Sequence, residues 1–434
     1  MPWTTWSNWS GTVSAEVDAR TPHTVEDVQQ IVRDAAEAGQ RVKPIGAGHS
    51  FTSIGETDGV QIRPDGLTGV VRADRDTGLV TVLAGTRLHD LNATLWQLGL
   101  SMTNLGDIDV QSISGAISTG THGTGARFGG IATQVRALQL VLADGSVRDV
   151  SPTSDPELFA AARVGLGALG VITSVTLQCE PAYALAASEA PDSLDVVLAD
   201  LDAHVQGNDH FEFYWFPHTR RVLTKRNNRV LDPSAIAPVG RVRSYVDDEL
   251  LSNTVFDLVN RATTRYPALI PRANAVAARA LSARDYVDRS YRVFASPRRV
   301  VFREMEYAVP AAAVPSVLAE IDRWLQRSGE QIGFPVEVRF AAADDIWLST
   351  ANGRASGYIA VHQYHRRDHD RYFRAVEEIA VAAGGRPHWG KLHYRSAESL
   401  RSVYPRFDDF VALREKVDPD RLFGNSYLTR VLGS

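Results

Sequence analysis

Apolar residues along the first hundred positions recur at helical spacing in two places. A capping box at Thr24 and Asp27 and a stop at Gly39 enclose the first stripe, which predicts an amphipathic helix over residues 24–38. A leucine stripe ending at Gly99 predicts a second helix over residues 86–98. Between them, short runs rich in β-branched residues predict strands at 60–62, 69–73 and 79–83.

Later segments continue this mixture of helices and strands. Residues 133–150 are predicted to form a hairpin that turns at Asp144-Gly145, followed by a helix over 156–164 and a strand over 171–177. Further strands are predicted at 210–217, 334–340 and 358–364, whereas residues 233–290 are expected to be mostly helical and connecting. The chain is therefore expected to have an α+β fold.

Length, charge and cysteine content narrow the class of protein. A chain of 434 residues is expected to hold two or three domains, and the composition changes at Glu180-Pro181. The net charge of -5 provides no basic strip for nucleic acid. Cys179 is the only cysteine, which excludes an intrachain disulfide. The sequence shows neither a signal-like N-terminus nor a run of about 18 uncharged apolar residues, so a cytoplasmic protein without a membrane segment is expected.

A glycine-rich loop at residues 41–51 contains the first candidate for cofactor binding. Gly46 and Gly48 permit tight backbone turns and the close approach of a planar ring or a phosphate, and they precede His49. A neutral imidazole at this point is a nucleophile, so His49 is interpreted as the anchor of a cofactor. The alternative is an ordinary tight turn with a surface histidine.

A second stretch, residues 104–125, is dense in glycine and small hydroxyl residues. Its backbone N–H groups and hydroxyls suit an elongated polar ligand such as a pyrophosphate. The alternative is a long flexible loop, which is disfavoured because Ile113, Ala116 and Ile117 provide apolar residues for packing. Residues 165–170 match the dinucleotide fingerprint, but they are predicted to follow a helix and precede a strand. That order is the reverse of the fingerprint's, so this interpretation is rejected.

Two predicted strands place polar side chains on one face. Glu337 and Arg339 share a face of the strand at 334–340, and His362 and Tyr364 share a face of the strand at 358–364. Glu337 and Arg339 are either a solvated surface pair or the wall of a pocket in which Arg339 polarises a substrate oxygen. His362 and Tyr364 are candidates for lining the same cavity.

Histidines and one lysine in residues 365–391 are further candidates for metal binding or catalysis. His365 and His369 have the spacing of a zinc site, but no glutamate follows the first histidine and arginines surround both, so no metal site is expected. A turn at residues 385–391 presents Lys391, whose charge can stabilise a developing anion.

Five motifs occur together and in order, and they resemble the sugar-1,4-lactone oxidase and alditol oxidase group of the vanillyl-alcohol oxidase FAD flavoprotein superfamily. The motifs are Gly46-Ala47-Gly48-His49-Ser50, Gly120-Thr121-His122-Gly123-Thr124-Gly125, Glu337-x-Arg339, His388-Trp389-Gly390-Lys391 and the tail from Asp418 to Tyr427. The resemblance spans nearly the whole chain and is weakest at residues 220–300.

The resemblance implies an FAD-binding domain of two α+β subdomains (PCMH-type) at residues 1–181. It also implies an α+β cap domain with a large antiparallel sheet at 182–395 and a C-terminal segment, 396–434, that returns to the first domain. FAD is implied to be covalently attached to His49. The implied cofactor-binding residues are Ile45, Gly46, Ala47, Gly48, Ser50, Gly106, Asp107, Ser112, Gly115, Gly120, Thr121, His122, Gly123, Thr124, Val171 and Lys391.

The same resemblance implies hydride transfer from an activated C–H bond to flavin N5. Glu337, Arg339, Lys391 and Gly106 match catalytic positions, and Asp107, His362, Tyr364, Glu337 and Arg339 match substrate positions. Gly106, Tyr364 and the Asn425-Ser426-Tyr427 tail favour a lactone such as L-gulono- or L-galactono-1,4-lactone, giving an ascorbate-type product; the alternative is an alditol such as xylitol or sorbitol.

A glycine at position 106 resembles the members of the superfamily that use oxygen. O2 is therefore the expected electron acceptor, with H2O2 as product, and a dehydrogenase with another acceptor is the alternative. Two further classes stay open at this point: a metal hydrolase, and a non-catalytic flavin or nucleotide binder. The oligomeric state is not predicted.

Overall fold

The computed structural model of the chain describes residues 3–240, 243, 245, 250, 253–296 and 298–433. A four-stranded sheet comes first, with the strands in the order Thr4–Ser7, Ser14–Arg20, Val60–Ile62 and Val42–Pro44. The predicted first helix is confirmed as Val25–Glu37, and both hydrogen bonds of the Thr24–Asp27 capping box form. Its apolar stripe packs on the sheet, with Val28 and Val32 fully buried.

A five-stranded antiparallel sheet follows. Its order is Val70–Ala73, Leu79–Leu83, Val171–Gln178, Val135–Val141 and Val147–Val150, so the predicted strands and the 133–150 hairpin are confirmed. The helices Leu88–Gln97 and Pro156–Ala162 pack against the same core. A short pair of strands, Leu100–Ser101 and Glu180–Pro181, lies beside it.

The glycine-rich stretch at residues 104–125 has a helical centre. Residues Ile113–Ser118 form a helix, and the hydroxyl of Ser112 caps it by accepting a hydrogen bond from the Gly115 N–H at 3.3 Å. Ile113, Ala116 and Ile117 are completely buried at the i, i+3 and i+4 positions. The flexible-loop alternative is therefore wrong, and the apolar residues explain why.

An eight-stranded antiparallel sheet forms most of the second half. Its strands lie in the order Arg284–Arg289, Ala184–Ser193, Arg221–Val230, His210–Trp215, Val336–Ala341, Ser356–Tyr364, Phe302–Pro310 and Arg386–Pro387. The helices Val314–Ser328 and Asp370–Ala382 cover one face of the sheet and bury the apolar side of its central strands. Polar side chains are left on the opposite face.

Residues 233–290 were expected to be mostly helical. The helices Phe256–Arg265 and Ile270–Ala280 agree with this, but the edge strand Arg284–Arg289 was not predicted. Much of the prediction for 241–252 lies outside the described residues. No helix in the described part of the chain has the length and apolar character needed to cross a bilayer.

The C-terminal segment contains the helices Ala397–Arg401, Phe407–Val417 and Ser426–Leu432, and it contacts the first sixty residues. The Val42 N–H donates to the carbonyl of Leu422 at 2.8 Å. The side-chain amide of Asn425 donates to the carbonyls of Ser53, Ile54 and Glu56 at 2.9 to 3.1 Å. The end of the chain thereby supports the glycine loop that precedes these residues.

Candidate active site

Two neighbouring cavities contain most of the predicted site residues. The first, here called the glycine cleft, is formed by the Lys43–Ser50 loop, the helix end at Ser114–Thr119 and residues 165–172. Trp6 and Asn8 from the N-terminal strands also line it. Of the predicted cofactor-binding residues, the glycine cleft contains Ile45, Gly46, Ala47, Gly48, His49, Ser50, Gly115 and Val171.

Glycine is required in the cleft chiefly because two backbone segments come very close. A Cβ atom built on Gly46 would lie 2.6 Å from the Ser112 hydroxyl oxygen and 3.0 Å from the Gly115 Cα. The loop therefore packs directly on the N-terminal turn of the helix Ile113–Ser118. Gly48 has a φ of +71°, which L side chains rarely adopt. The missing side chains permit this close packing and this backbone turn.

The turn at residues 165–170 also lines the glycine cleft. It follows the helix Pro156–Ala162 and precedes the strand Val171–Gln178, so the rejection of a dinucleotide fingerprint is confirmed. Even so, the sequence motifs did not predict that this turn forms a wall of the cleft. Leu166 and Gly167 both have a left-handed backbone, with φ of +56° and +60°. The density of glycine at 165–170 was the available clue.

The second cavity, here called the charged cavity, lies between the cofactor loops and the polar face of the eight-stranded sheet. Its lining includes the acidic residues Asp107, Glu304 and Glu306, the cations Arg298, Arg339 and Lys391, and the imidazoles of His49, His122, His362 and His388. Glu306 is paired across Ala360 with Glu337, and Glu304 is paired with His362. Strand register therefore sets the spacing of these groups.

His49 lies at the junction, since it lines both cavities together with Ser50, Gln111 and Thr119. Its ring stacks on Trp9 with centroids 5.6 Å apart. Burial, reinforced by Lys391 and Arg87, lowers the pKa of His49 to about 4, so the imidazole is neutral at pH 7. The carbonyl oxygen of the Gln111 side chain is buried there, and it has no hydrogen-bond partner among the described residues. A ligand with an N–H donor can satisfy it.

Arg339 is the centre of a buried ion network. Its guanidinium contacts Glu337, donates from Nε to Glu212 at 2.9 Å and lies 3.4 Å from Asp107. Glu337 is only 4% exposed, which excludes the solvated surface pair. However, Glu337 does not line the charged cavity: it lies behind Arg339 and accepts a hydrogen bond from the Tyr214 hydroxyl at 2.8 Å.

The pKa values within this network diverge. Burial raises the pKa of Glu337 against the pull of Arg339, and repulsion from Asp107 and Glu212 adds to the rise. Burial also opposes the charge on Asp107, but Arg339 and Arg298 outweigh it and hold the pKa of Asp107 well below its usual range. Arg339 is therefore the cation that faces the cavity, and Glu337 is one of the carboxylates that position it.

Lys391 is held by an acid that the analysis of the sequence missed. Its ammonium contacts the carboxylate of Glu304, whose other oxygen lies 3.5 Å from Nε2 of His362. Burial alone would raise the pKa of Glu304, but the charge of Lys391 lowers it. The alternation of polar and apolar residues in Phe302-Arg303-Glu304-Met305-Glu306-Tyr307 was the available clue.

Three buried groups among the described residues converge closely enough to hold a metal ion: His122, Glu306 and His388. Nε2 of His122 lies 3.2 Å from Glu306, and its Nδ1 lies 2.9 Å from the Gly123 carbonyl oxygen. Nδ1 of His388 accepts a hydrogen bond from the Gly390 N–H at 3.0 Å, so the proton of the neutral ring is on Nε2. His388 therefore has no free lone pair for a metal.

Several predicted site residues line neither cavity: Gly106, Ser112, Gly120, Gly123, Thr124, Glu337 and Tyr364. Thr124 is structural, because its hydroxyl donates to the Phe211 carbonyl and accepts from the Phe340 N–H at 3.2 Å. Tyr364 is completely buried and donates to Asp257 at 2.8 Å, so it does not share the cavity with His362. A Cβ on Gly106 would lie 3.1 Å from the Thr121 side chain and 3.3 Å from the His122 carbonyl.

The models of two protein families match successive parts of the chain. Residues 19–151 match the model of an FAD-binding domain, and residues 175–431 match the model of D-arabinono-1,4-lactone oxidase. The chain is 44% identical over 429 residues to an L-gulono-1,4-lactone dehydrogenase of Mycobacterium tuberculosis, covering 99% of both chains.

More distant relatives include both a lactone oxidase and an alditol oxidase. An L-gulonolactone oxidase of Scyliorhinus torazame is 34% identical, covering 98% of this chain and 97% of that protein. An alditol oxidase of a Streptomyces species is 29% identical, covering 98% of both. The crystal structure of a cholesterol oxidase from Brevibacterium sterolicum has a TM-score of 0.82 over 99% of this chain and 97% of that chain, at 18% identity, and shows the same fold.

Proposed function

Since the chain belongs to the D-arabinono-1,4-lactone oxidase family of FAD-dependent sugar-lactone oxidoreductases, we propose that it oxidises an L-gulono- or L-galactono-1,4-lactone to an ascorbate-type product. The observation that carries the proposal is the position of His49, which lines both the glycine cleft and the charged cavity. FAD bound there supplies a two-electron acceptor beside a site rich in charged groups.

The residues of the glycine cleft fit this cofactor. Backbone N–H groups of the glycine loop suit a pyrophosphate, and the unpartnered Gln111 oxygen suits an N–H donor of a flavin ring. His49 is neutral and half-buried, as a nucleophile toward the flavin must be. We propose that FAD is covalently bound to His49. We also propose domain limits of 1–181, 182–395 and 396–434.

The charged cavity supplies orientation and charge. Arg339 and Lys391 both line the cavity and are each held by a carboxylate, so they can stabilise negative charge that develops on a substrate oxygen. Asp107 and Glu304 stay ionised because their pKa values are lowered, so they accept hydrogen bonds from substrate hydroxyls. Fixed partners hold each of these groups before substrate arrives.

A lactone is favoured over an alditol as substrate. The gulonolactone enzymes are 44% and 34% identical to the chain, whereas the alditol oxidase is 29% identical. Tyr364 does not support the choice of a lactone, because it is buried and cannot contact a substrate in the charged cavity.

We propose O2 as electron acceptor, with H2O2 as product, on the basis of Gly106. The second candidate is a dehydrogenase with another acceptor, which the name of the relative at 44% identity favours. Gly106→Ala should slow the reoxidation of the flavin by O2 without slowing its reduction by substrate. Since a methyl at this position presses on Thr121 and His122, the reduction rate is the necessary control. Unchanged reoxidation would remove the role of Gly106, and failure of the parent protein to react with O2 would favour the dehydrogenase.

The decisive experiment is a visible spectrum of the purified protein before and after acid precipitation. Flavin absorbance that stays with the pellet, and moves to the supernatant in His49→Ala, is expected. Anaerobic reduction by L-gulono-1,4-lactone should then be much faster than by xylitol. A colourless protein that FAD cannot reconstitute would refute the proposed function, and faster reduction by xylitol would assign the alditol branch.

A further inference from the structure

We propose that Lys43 is a positioning residue for the cofactor, whose buried ammonium holds the turn at residues 165–170 in the strained conformation that lines the glycine cleft. The inference rests on the proposed FAD site. It assigns a role to a side chain for which the motifs of the sequence gave no function.

Lys43 joins three segments of the chain at the base of the cleft. Its Nζ lies 3.2 Å from the carbonyl oxygen of Leu166, 3.1 Å from that of Gly167 and 3.4 Å from that of Phe423. An ammonium has three N–H donors, and the carbonyls offer three acceptors. The donors of Lys43 are thereby directed at the turn and at the C-terminal segment.

Two of these acceptors belong to residues with an unfavourable backbone. Leu166 has a φ of +56°, which places its Cβ close to its own carbonyl oxygen, and Gly167 follows at +60°. The Leu166 side chain is 1% exposed, so it also packs in the core. A left-handed leucine persists only where surrounding contacts fix it. The ammonium of Lys43 contacts the carbonyls on both of these residues.

The position of Lys43 is costly for a charged group. The side chain is 1% exposed, and burial lowers the pKa of Lys43 to about 7. The charge of Arg414 lowers it further, and the charge of Asp418 acts in the opposite direction. A buried ammonium is tolerated where hydrogen bonds compensate for lost solvation. Here the compensation is directed at the backbone of the turn that lines the cleft.

The turn and Lys43 both face the space proposed for FAD. Gly165, Leu166, Gly167 and Gly170 line the glycine cleft together with Lys43. If the Lys43 side chain is removed, the carbonyls of Leu166 and Gly167 lose their hydrogen-bond donor. We then expect the strained turn to change conformation and no longer to line the cleft in the same way.

The test measures FAD affinity in a His49→Ala background, where binding is reversible. Lys43→Met should weaken FAD binding at least tenfold. Adding Leu166→Gly to Lys43→Met should raise the FAD affinity at least threefold above that of Lys43→Met alone, because glycine adopts the left-handed conformation without strain. A purely structural role predicts the reverse, since Leu166→Gly deletes a buried side chain and would weaken the protein further. Val28→Ala, in the buried first helix away from the cleft, is the control and should change the affinity less than twofold.

The rate of FAD incorporation into apoprotein that retains His49 provides a second measurement and should follow the same order. FAD affinity within twofold of the parent in Lys43→Met, or no recovery with Leu166→Gly, would overturn the inference. If His49→Ala binds no FAD, the incorporation rates alone decide. If the unmodified chain binds no FAD at all, the proposed function fails, which is a distinct result.

Discussion

The glycine cleft and the charged cavity share His49, but residues of different types line them. The glycine cleft is lined by many glycines and other small residues from segments far apart in sequence, chiefly 43–55, 111–119 and 162–172, with Lys43 as its buried cation. The charged cavity is lined by charged side chains, of which Glu304, Glu306 and Arg339 lie on strands of one sheet and Asp107, Arg298 and Lys391 lie on loops beside it. Shape therefore governs the first region, and compensated charge governs the second.

This difference predicts that the two regions fail differently when altered. The glycine cleft should respond to added volume, and the charged cavity should respond to the loss of a charge. Substitutions in the cleft should affect cofactor content first, whereas substitutions in the cavity should affect substrate oxidation with the cofactor still in place.

The largest effect is expected for Arg339→Met. The substitution leaves Glu337, Glu212 and Asp107 without their shared cation, and breaking a buried ion pair costs about 3–5 kcal/mol. The rate of flavin reduction by lactone should fall by roughly a thousandfold, a loss of transition-state stabilisation of about 4 kcal/mol. Stopped-flow reduction measures the rate, and acid-precipitable flavin measures the cofactor content. Arg374→Met, which removes a solvent-exposed pair with Asp370, is the control and should change neither. Equal losses of rate and of cofactor would contradict the separation of the two regions.

A smaller effect is expected for Gly46→Ala, at the closest packing in the cleft. A methyl 2.6 Å from the Ser112 hydroxyl forces the loop and the helix Ile113–Ser118 apart, and overpacking of this kind costs about 1–3 kcal/mol. Flavin content should fall several-fold, while the remaining loaded protein should be reduced by lactone at nearly the parent rate.

Gly240→Ala is the matched control, because a Cβ there has no neighbour within 4 Å among the residues that the structure describes. It should leave the flavin content unchanged. A loaded fraction of Gly46→Ala that reacts much more slowly with lactone would show that the cleft also determines the chemistry.

The smallest effect concerns pH. Because burial lowers the pKa of Lys43 from 10.5 to about 7, the unfolded chain binds a proton that the folded chain lacks between these values. The contribution of Lys43 to the free energy of unfolding should therefore rise with pH above 7, by at most about 1.4 kcal/mol per pH unit. The measurement is the difference in urea midpoint between the parent and Lys43→Met at pH 6 to 9. A difference independent of pH would show that Lys43 does not titrate in this range.

The carboxylates of the charged cavity should act at the opposite end of the pH scale. The folded-state pKa of Asp107 lies well below the usual aspartate pKa. The ionised carboxylate therefore stabilises the fold fully at pH values above the usual pKa, and this stabilisation is lost as the pH falls toward the folded-state pKa. Asp107→Asn should therefore become less destabilising, relative to the parent, as pH is lowered.

The sequence predicted the glycine cleft better than the charged cavity for a physical reason. Gly46, Gly48 and His49 act through local geometry, so their motif is visible within one short window. Glu304 and Glu306 acquire their role only when Phe302–Pro310 pairs with Ser356–Tyr364, and single-chain periodicity does not reveal that pairing. The same limit explains the wrong prediction for Tyr364. Its side chain was predicted to share a face of the strand with His362, but the sequence does not show that the cavity ends before it reaches Tyr364.

The positions of Glu337 and Lys43 show a second limit. The alternation in the strand at 334–340 places Glu337 and Arg339 on one face, but it does not tell which of them faces the open space. Lys43 lies in the short strand Val42–Pro44 just before the glycines of the loop, and lysine is rarely buried, so burial of its ammonium had no local indication.

The hydrogen bonds from Asn425 also have a consequence for biosynthesis. Asn425 binds the carbonyl of Ser53, which was polymerised 372 residues earlier. At about 5–20 residues per second, a ribosome needs roughly 20 to 70 seconds to make the intervening chain. The glycine loop is therefore translated long before its last support exists. Cofactor capture should accordingly be a post-translational event, and a nascent chain stalled before the tail should emerge without flavin.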